Sequence, residues 1–522
     1  MAQKRDEEIR TLRKSGRLDE AFELAQQSLE EAMDNIWLKR EIGWVYYAKA
    51  KSLAEAGDIE ASMEVLKFVT TLGFTASEES LLAKQLPWVC AAIVKHFVDT
   101  YKGKEKDADF YCNAQQIIDT LCHLVEAMEH LPLAKPSEGY SLFITYIHKL
   151  LKDRPGYATI FSKIGFDYFS TEDCKPFRTG SGRLILPMAE QVYLAYTKAL
   201  LLGLKQNYSV AIPLAEDFLP ILNRVKMSNP EYTWTDYNIT KLLIALARTD
   251  EAKQFCVDFI KRKSKEFWAW ESLGQIYEVS NIELSMACYC MALSCNADEE
   301  FLVSVMEGAA KVFAKAGYFN EARTEVDRVV KIRLEKWGKI STSLATLKQS
   351  DWYKQATSLN NNNAFYNEYK DAAIGLVFNT QKAIIVTRLN TEKKIASYIA
   401  EDGKMGFFNY SRLNKYCIKA GNIYSATFVK ERSEGPSDVF NLREIDADTN
   451  YPTLCKEVCG YIRIAPSGIG FIDGCFVSPE IIKRFGLCDS QTVMAQAIRS
   501  YDRKKSALGW TVILIKQVYN HL

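Results

Sequence analysis

Apolar residues recur every three or four positions through most of the first 340 residues of this 522-residue chain. That spacing places them on one face of an α-helix. An early example is the set Leu18, Ala21, Phe22, Ala25 and Leu29. Glycines and paired polar residues interrupt the pattern, and they predict helix ends at Gly16, Asn35, Gly57 and Gly73. Further helices are predicted over residues 78–101, 109–131 and 139–151.

Two short patterns recur within the predicted helices. The first reads Trp-Glu-Ser-Leu-Gly-Gln-Ile-Tyr and contains Trp270, Leu273, Gly274 and Tyr277. The second is a glycine followed five positions later by an alanine, seen as Gly16 with Ala21 and Gly317 with Ala322. A looser form pairs Gly57 with Ala61. Such small residues are expected where two helices approach closely, with the large ones filling the space between stacked hairpins.

These patterns resemble the signatures of tetratricopeptide repeat proteins, whose helical hairpins stack into an α-solenoid. The step from Ala252 through residues 285–287 to Ala322 approximates that family's period of about 34 residues. Because one hairpin cannot bury its apolar face alone, a good repeat implies neighbours. The resemblance implies repeats over residues 1–152 and 188–340, with a protein partner bound to the solenoid.

Residues 153–187 differ from their surroundings in their density of glycine, proline and aromatic residues, which predicts an irregular insertion. Its Gly180-Ser-Gly182-Arg183 stretch offers backbone amides to an anion, but it lacks the lysine–serine ending and the preceding strand of a phosphate-binding loop. A structural cap is the favoured interpretation. An enzyme that uses this insertion is the least favoured function.

The period changes from helical to alternating near Ala372, after a predicted linker over residues 341–371 that contains four consecutive asparagines. Strand-like patterns occupy residues 374–378, 383–386, 423–429 and 510–515. They predict two small β domains over residues 372–445 and 452–522.

Both blocks resemble cold-shock domains, which are five-stranded barrels of the oligonucleotide-binding fold. In that family, aromatic residues on two adjacent strands stack on bases. Residues 394–399 and 406–411 lie where those strands would be in the first block, and alternation predicts Tyr398 beside Phe407 with Asn409 next along. The predicted nucleic-acid site of this block comprises Arg388, Lys393, Lys394, Tyr398, Phe407, Asn409, Tyr410, Arg412 and Lys415.

The second block is a better match to the fold and a poorer match to the site. Compared with cold-shock proteins, only Phe471 and Phe476 remain of the aromatic platform. Aliphatic or small residues occupy the other stacking positions, namely Ile464, Ala465, Ile469, Ser478 and Pro479. We therefore expect the first block to make the main nucleic-acid contact, and the second to bind less, to hold a protein or to pack.

Composition narrows the functional classes. The 66 basic and 65 acidic residues nearly cancel, so any nucleic-acid site must be local. The five histidines lie near no nucleophile motif, and the 13 scattered cysteines show no metal-ligand spacing, so no catalytic residue, metal or cofactor is expected. Neither a signal peptide nor an apolar run of membrane-spanning length is recognised, which predicts a cytoplasmic protein without a membrane partner.

The sequence thus predicts a multidomain α + β protein, a tetratricopeptide-like α-solenoid followed by two cold-shock-like barrels. The expected function is a non-enzymatic adaptor that binds a protein through the solenoid and RNA or single-stranded DNA through the first barrel. The architecture resembles repeat-plus-barrel proteins of bacterial anti-phage conflict systems, by analogy alone. The alternative is a protein-only scaffold whose barrels have lost nucleic-acid binding.

Overall fold

The chain folds into two compact units, Met1–Phe259 and Ile260–Leu522. The structure is a computed structural model that describes residues 2–103, 105–378, 381–411, 413, 418–432, 435–445, 451–502 and 507–519. The first unit is helical apart from one short hairpin. The second unit begins with helices and ends with two β domains.

The helices of the first unit follow one another with short connections. They are α1 (Ala2–Lys14), α2 (Leu18–Gln27), α3 (Leu29–Ala32), α4 (Ile36–Ala56), α5 (Ile59–Thr71), α6 (Ser80–Thr100), α7 (Glu105–His130), α8 (Glu138–Leu151), α9 (Tyr157–Ile164), α10 (Met188–Lys205), α11 (Ala211–Ser228), α12 (Thr235–Ala245) and α13 (Thr249–Arg262), whose last residues belong to the second unit. The hairpin between α9 and α10 consists of β1 (Phe177–Arg178) and β2 (Leu184–Ile185).

Local chemistry explains where these helices begin and end. The Asn35 side chain accepts hydrogen bonds from the backbone amides of Trp37 at 3.1 Å and Leu38 at 3.3 Å, which caps the start of α4. Gly57 ends that helix in the left-handed region at φ 85°, where residues with a β-carbon are strained. The predicted helix ends at Gly16, Asn35, Gly57 and Gly73 are confirmed, as are the three longer predicted helices, which correspond to α6, α7 and α8.

Two details of the first unit differ from the prediction. Residues 157–164 of the predicted irregular insertion form α9, whose buried side chains include Tyr157, Ile160 and Phe161. At the looser glycine–alanine pair, Ala61 is only half-buried, and Ser62 takes the buried position instead. The reason is spacing, because Ser62 lies five residues after Gly57; its hydroxyl donates to the carbonyl of Ala50 at 2.8 Å.

Helix α6 is long and apolar enough to cross a membrane by length and composition alone. The prediction that no such run exists is therefore wrong. Half of the helix is buried inside the structure, and its buried side chains include Leu86, Val89 and Ile93. A core helix of a helical repeat meets the same length and hydropathy test, so the observation is weak evidence for a membrane span.

The second unit continues the helical hairpins and then changes to strands. Its helices are α14 (Phe267–Tyr277), α15 (Ile282–Leu293), α16 (Val303–Lys315), α17 (Phe319–Trp337), α18 (Thr342–Gln349), α19 (Asp351–Gln355) and α20 (Asn363–Val377), with α21 (Pro479–Phe485) inside the second β domain. Its strands are β3 (Gln381–Asn390), β4 (Ile395–Ala400), β5 (Met405–Asn409), β6 (Ile423–Lys430), β7 (Asp438–Ile445), β8 (Cys455–Ile464), β9 (Gly470–Ile472), β10 (Cys475–Val477), β11 (Thr492–Asp502) and β12 (Ala507–Tyr519).

The repeat signature occupies the packed interior of these hairpins. Trp270 and Leu273 are fully buried in α14, and Tyr277 is nearly so. A β-carbon at Gly274 would lie 3.0 Å from two ring carbons of Tyr289 on α15, so this glycine does stand at a close helix–helix approach. Ala21 and Ala322 are likewise completely buried, and the glycines that precede them, Gly16 and Gly317, have left-handed backbone angles.

The linker predicted over residues 341–371 is largely helical, and the strand predicted at residues 374–378 is wrong. Residues 363–377 form α20, which packs against α15. Asn362, within the asparagine run, donates from its side chain to Glu325 Oε1 at 2.6 Å and to the carbonyl of Glu321 at 3.0 Å. Ala373, Ile374 and Val377 are buried at helical spacing, so a short apolar run read as a strand belongs to a helix face.

The first β domain is a five-stranded sheet in the order β5-β4-β3-β6-β7. Its two edges approach each other, because Phe408 forms an isolated bridge with Ser437 and the Ser437 amide donates to the carbonyl of Phe407 at 2.8 Å. The sheet curls around a core that contains Tyr398, Phe408 and Phe428. The ring centroids of Phe440 on β7 and Trp270 are 5.9 Å apart, so Trp270 of the repeat signature also packs against this domain.

The second β domain is a closed barrel in the order β10-β12-β11-β8-β9. Its core is made of aliphatic and small side chains, including Val458, Ile462, Ile472 and Cys475. A second apolar cluster joins the two β domains and includes Ile385, Ile399, Ile423, Leu454 and Ile498. The helical repeat followed by two small β domains is the predicted fold class, and it is confirmed.

Candidate nucleic-acid interface

The outer face of the first β domain carries a row of side chains across three strands. Register pairs Arg388 of β3 with Ser397 of β4, and Ser397 with Phe407 of β5, so their side chains lie on the same face. Phe407 is 36% exposed, and Asn409 lies on the same face two residues along. Lys393 and Lys394 are exposed in the connection between β3 and β4. This face offers one ring, the Ser397 hydroxyl, the Asn409 amide and the Arg388 guanidinium, and the two lysines lie in the connection at its end.

Tyr398 does not belong to that face, so its predicted position beside Phe407 is wrong. It is 2% exposed and pairs with Gly406, whose missing side chain leaves room for the phenol ring. Its ring lies 5.9 Å from that of Phe408, and its hydroxyl lies 3.1 Å from the Ser437 hydroxyl. Burial raises the pKa of the Tyr398 hydroxyl. The error is one residue of register, which moves a side chain to the opposite face.

The remaining predicted site residues of the first block differ in where they lie. Tyr410 is half-buried against the core, and its hydroxyl is 3.4 Å from the carbonyl of Asn390. The Lys394 ammonium lies 6.0 Å from the Tyr410 ring centroid. Arg412 and Lys415 lie outside the described residues. Among the residues of the first block that the structure describes, Phe407 is the exposed aromatic ring.

The second β domain carries a longer row on its own outer face. Register pairs Arg463 of β8 with Phe471 of β9, Phe471 with Phe476 of β10, and Phe476 with Thr511 of β12. Phe471 is 39% exposed and Phe476 is half-buried. Their ring centroids are 5.9 Å apart in an edge-to-face arrangement. Two aromatic rings and a guanidinium thus line up across adjacent strands.

The turn between β9 and β10 holds the two phenylalanines opposite each other. Only Asp473 and Gly474 connect the strands, and both have positive φ, at 44° and 75°. Two central residues with positive φ form the hairpin turn whose twist matches that of the strands, and Asp-Gly is among its preferred sequences. The local sequence therefore builds this part of the face.

Sequence reasoning missed Tyr461, the most exposed aromatic residue of the second barrel at 62% exposed. Along β8 the side chains alternate, with Val458 and Ile462 buried while Tyr461 and Arg463 are exposed. Tyr461 therefore extends the same face, two residues from Arg463. The alternation of apolar and polar residues along β8 is a sequence signal that places Tyr461 on the outer face. The cold-shock resemblance, however, assigns the stacking residues to the neighbouring strands.

Two acidic residues lie close to this face, Asp473 in the β9–β10 turn and Asp489. Asp489 accepts a hydrogen bond from the backbone amide of Ile464 at 2.7 Å, and this bond is the main cause of the lowered pKa of its carboxyl group. The charge of Arg463 lowers that pKa further. Asp489 is thus partly engaged by the backbone, and Arg463 remains exposed beside the aromatic row.

The first unit contains a groove between α5 and α7 with a volume of about 800 Å³. Its lining mixes apolar and polar side chains, among them Ile59, Met63, Lys67, Ile117, His123 and His130. Glu126, which also lines it, forms an ion pair with Lys163 at 2.9 Å. Across the described residues, no group of three or more metal-binding side chains is found.

The loop at residues 180–183 is the tip of the β1–β2 hairpin, and its amides are used within the turn. Gly182 donates to the carbonyl of Thr179 at 2.8 Å, and the Arg183 amide donates to the Thr179 hydroxyl at 3.2 Å. The anion cradle considered for this stretch therefore has two of its donors already occupied.

Comparison with known proteins supports a cold-shock-like assignment for the second barrel. Residues 456–515, which run from β8 into β12, match the family model described as S1/CSD-like domain 2 of the TOTE conflict systems. Helical hairpins with the repeat signature in their interior precede it. The chain thus combines tetratricopeptide-like helical hairpins with a C-terminal domain similar to S1/cold-shock-like domains.

Other comparisons are more distant. Residues 233–373 match a family model described as a domain of unknown function, DUF7017. The crystal structure of the yeast Tom70 is 12% identical, with 72% of this chain and 90% of that chain covered at a TM-score of 0.23. The TPR2AB-domain:pHSP90-complex of yeast Sti1 is 14% identical, with 68% and 97% covered at a TM-score of 0.17. No curated protein sequence matches this chain.

Proposed function

We propose that this protein is a non-enzymatic, cytoplasmic adaptor that holds a protein partner on its helical repeats and a single-stranded nucleic acid on its second barrel. One observation carries the nucleic-acid part, the row of Arg463, Phe471 and Phe476 across three adjacent strands, which Tyr461 extends. The match of this barrel to an S1/cold-shock-like family supports the same assignment.

The chemistry of the row suits an unpaired strand. Each base has a flat face that stacks on an aromatic ring, and in a duplex those faces are hidden. Phe471 and Tyr461 present exposed rings, and Arg463 lies between them, where it reaches a phosphate. Stacking and charge together favour RNA or single-stranded DNA without strong sequence preference. Phe407 and Arg388 on the first barrel offer a smaller contact of the same kind.

The helical repeats supply the protein-binding part of the proposal. The groove between α5 and α7 is large enough for a peptide segment, and its lining of methionine, isoleucine, lysine and histidine gives both apolar and polar contacts. The family model that matches the second barrel is described as a domain of conflict systems, which supports a role for this adaptor in such a system. That the system acts against phage is our proposal by analogy of domain architecture. An adaptor there would bring a partner protein to the bound strand.

A protein-only scaffold is the second candidate. The burial of Tyr398 favours this candidate, because a residue expected to stack on bases lies in the core of the first barrel instead. In that case the exposed rings of the second barrel would contact a protein surface, and binding of single strands would be absent.

Fluorescence anisotropy with a labelled single-stranded RNA or DNA of about 12 nucleotides tests the proposal on the full chain. Replacing Phe471 with alanine should weaken binding by about tenfold, since a lost base stack costs about 1–3 kcal/mol. Phe407→Ala should have a smaller effect. Phe301→Ala removes an exposed phenylalanine from the helical repeats and serves as the matched control, which should bind like the parent.

Two results would decide against nucleic-acid binding. One is a folded parent that does not bind single strands at low salt. The other is a Phe471→Ala variant that binds as tightly as the Phe301→Ala control. Either result leaves the protein-only scaffold as the function.

A further inference from the structure

One end of the second barrel carries two cations on a single indole ring. The Lys456 ammonium lies 4.7 Å from the Trp510 ring centroid, and the Arg499 guanidinium carbon lies 4.9 Å from it. The three residues come from three strands, β8, β11 and β12, so the barrel itself brings them together. All three side chains are half-buried.

Inward alternation explains their position. Trp510 packs against the barrel core and is in register with Arg499. Lys456 precedes the core residue Val458 by two positions on β8, so both point toward the barrel interior. The charge of Lys456 also acts on the buried thiol of Cys475, where it opposes the rise in pKa that burial causes. The two cationic groups therefore lie against the indole ring at this end of the barrel.

No ion pair accompanies either of these half-buried cations in the part of the chain that the structure describes. Lys382, by contrast, lies 2.7 Å from Asp402 and 2.7 Å from Glu431, and Lys516 pairs with Glu457. The charge of Asp473 also acts on the Cys475 thiol, but Asp473 forms no ion pair with either cation within the described residues. Two like charges held at a half-buried site without an ion pair raise the local potential. Such a site favours an anion.

We propose that Lys456 and Arg499 form a phosphate site for the backbone of a single-stranded nucleic acid whose bases stack on the aromatic row. The site rests on the function proposed above and extends it. The site and the row are close along the chain, since Cys475 precedes Phe476 and Trp510 precedes Thr511, which is in register with Phe476. Successive side chains point to opposite faces of a strand, so the row lies outside the barrel and the cations lie inside its end. A single strand that leaves the row at Phe476 therefore reaches the cations by passing over the barrel end at the β9–β10 turn.

The salt dependence of binding distinguishes this site from the stacking face. Each phosphate neutralised on a single strand contributes about 0.7 to the slope of log affinity against log salt. Lys456→Gln and Arg499→Gln should each lower that slope by about 0.7 and weaken binding at low salt. Phe471→Ala should weaken binding and leave the slope unchanged. Lys483→Gln removes an exposed lysine from α21 of the same barrel and should leave both quantities at parental values.

A second measurement needs no variant. Acetylation of lysines by a small reagent, read by mass spectrometry on the full chain, should be slower at Lys456 when a saturating 12-nucleotide single strand is present. Lys483 should react equally in both conditions.

Arg499→Lys is a charge-conserving control for the salt-dependence experiment. It keeps the positive charge and should keep the parental slope, which separates loss of charge from a damaged fold.

The outcomes separate the two proposals. If Phe471→Ala weakens binding while both glutamine variants keep the parental slope and Lys456 gains no protection, the phosphate site is refuted and nucleic-acid binding stands. If the parent binds no single strand, both proposals fail together. If Lys483→Gln lowers the slope as much as Lys456→Gln does, the effect is one of general charge, and the site is refuted.

Discussion

Tyr289 lies between two glycines of neighbouring helices, and this arrangement gives a sharp test of the repeat packing. Gly274 of α14 faces one side of its ring and Gly308 of α16 faces another. A β-carbon at Gly308 would lie 2.8 Å from both Cε1 and the hydroxyl oxygen of Tyr289. The ring is 1% exposed, and its hydroxyl donates to Glu278 Oε1 at 2.7 Å. It therefore has little freedom to move away.

The expected loss follows from two opposing terms. Alanine in place of glycine gains about 0.5–1 kcal/mol in a helix interior, because it loses less backbone entropy. Overpacking of a tight core costs about 1–3 kcal/mol. Gly308→Ala should therefore destabilise the chain by about 1 kcal/mol. Gly274→Leu should cost more, because its additional carbons must also find space beside Tyr289.

Urea denaturation of the full chain, followed by the helical signal in circular dichroism, measures this difference. Gly375→Ala is the matched control, since Gly375 is also helical but a β-carbon there would meet no atom within 4 Å. It should stabilise α20 by about 0.5–1 kcal/mol. In a Tyr289→Leu background, Gly308→Ala should cost less, because leucine has neither Cε1 nor a hydroxyl; the double-mutant cycle reports that coupling.

The reasoning fails if Gly308→Ala is as stable as Gly375→Ala, or if its cost is the same with tyrosine and with leucine at position 289. Either result would mean that α15 and α16 do not approach closely at Tyr289. The assignment of glycine to a helix contact, on which the repeat interpretation depends, would then be wrong.

Two further predictions concern buried polar groups. His148 is buried with its Nδ1 2.9 Å from the Tyr157 hydroxyl, and burial lowers the pKa of its imidazole from 6.5 to about 4. Between these two pH values the folded state binds fewer protons than the unfolded state. The free energy of unfolding should therefore fall by up to about 1.4 kcal/mol per pH unit as pH drops from 6.5 toward 4. His148→Gln should flatten that part of the stability profile, and an unchanged profile would contradict the assignment. Tyr398→Ala should destabilise the first barrel by about 3–5 kcal/mol, as for other buried aromatic residues. Tyr398→Phe should lower the free energy of unfolding by about 1 kcal/mol, because the hydrogen bond of the hydroxyl is lost. If Tyr398→Ala melts at nearly the parental temperature, Tyr398 is not a core residue.

The helical part of the fold could be predicted from the sequence because its signals are local. Helical spacing, capping side chains and left-handed glycines act within a few residues, so Asn35 and Gly57 mark helix ends without knowledge of the rest of the chain. The close approach at Gly274 was also predictable, since it follows from a repeat pattern. Gly308 was not predicted, because no motif draws attention to it.

The predictions that failed depended on tertiary context. The run Ile-Gly-Leu-Val-Phe at residues 374–378 is short enough to suit either a strand or a helix, and packing of α20 against α15 decides for the helix. The face of Tyr398 depends on which side of the sheet becomes the core. Alternation gives two faces but does not say which one is inside.

The two barrels use their aromatic residues in opposite ways, and this contrast explains why the better candidate site lies in the second barrel. In the first barrel, Tyr398, Phe408 and Phe428 fill the core, and Phe407 is the exposed ring among its described residues. In the second barrel, aliphatic and small side chains fill the core. Phe471 and Tyr461 are then left for the outer face. Trp510 and Phe485 pack against this core but are only partly buried. A buried core of aliphatic and small side chains therefore leaves other rings free to face a ligand, so the choice of core residues and the capacity for base stacking are linked in this fold.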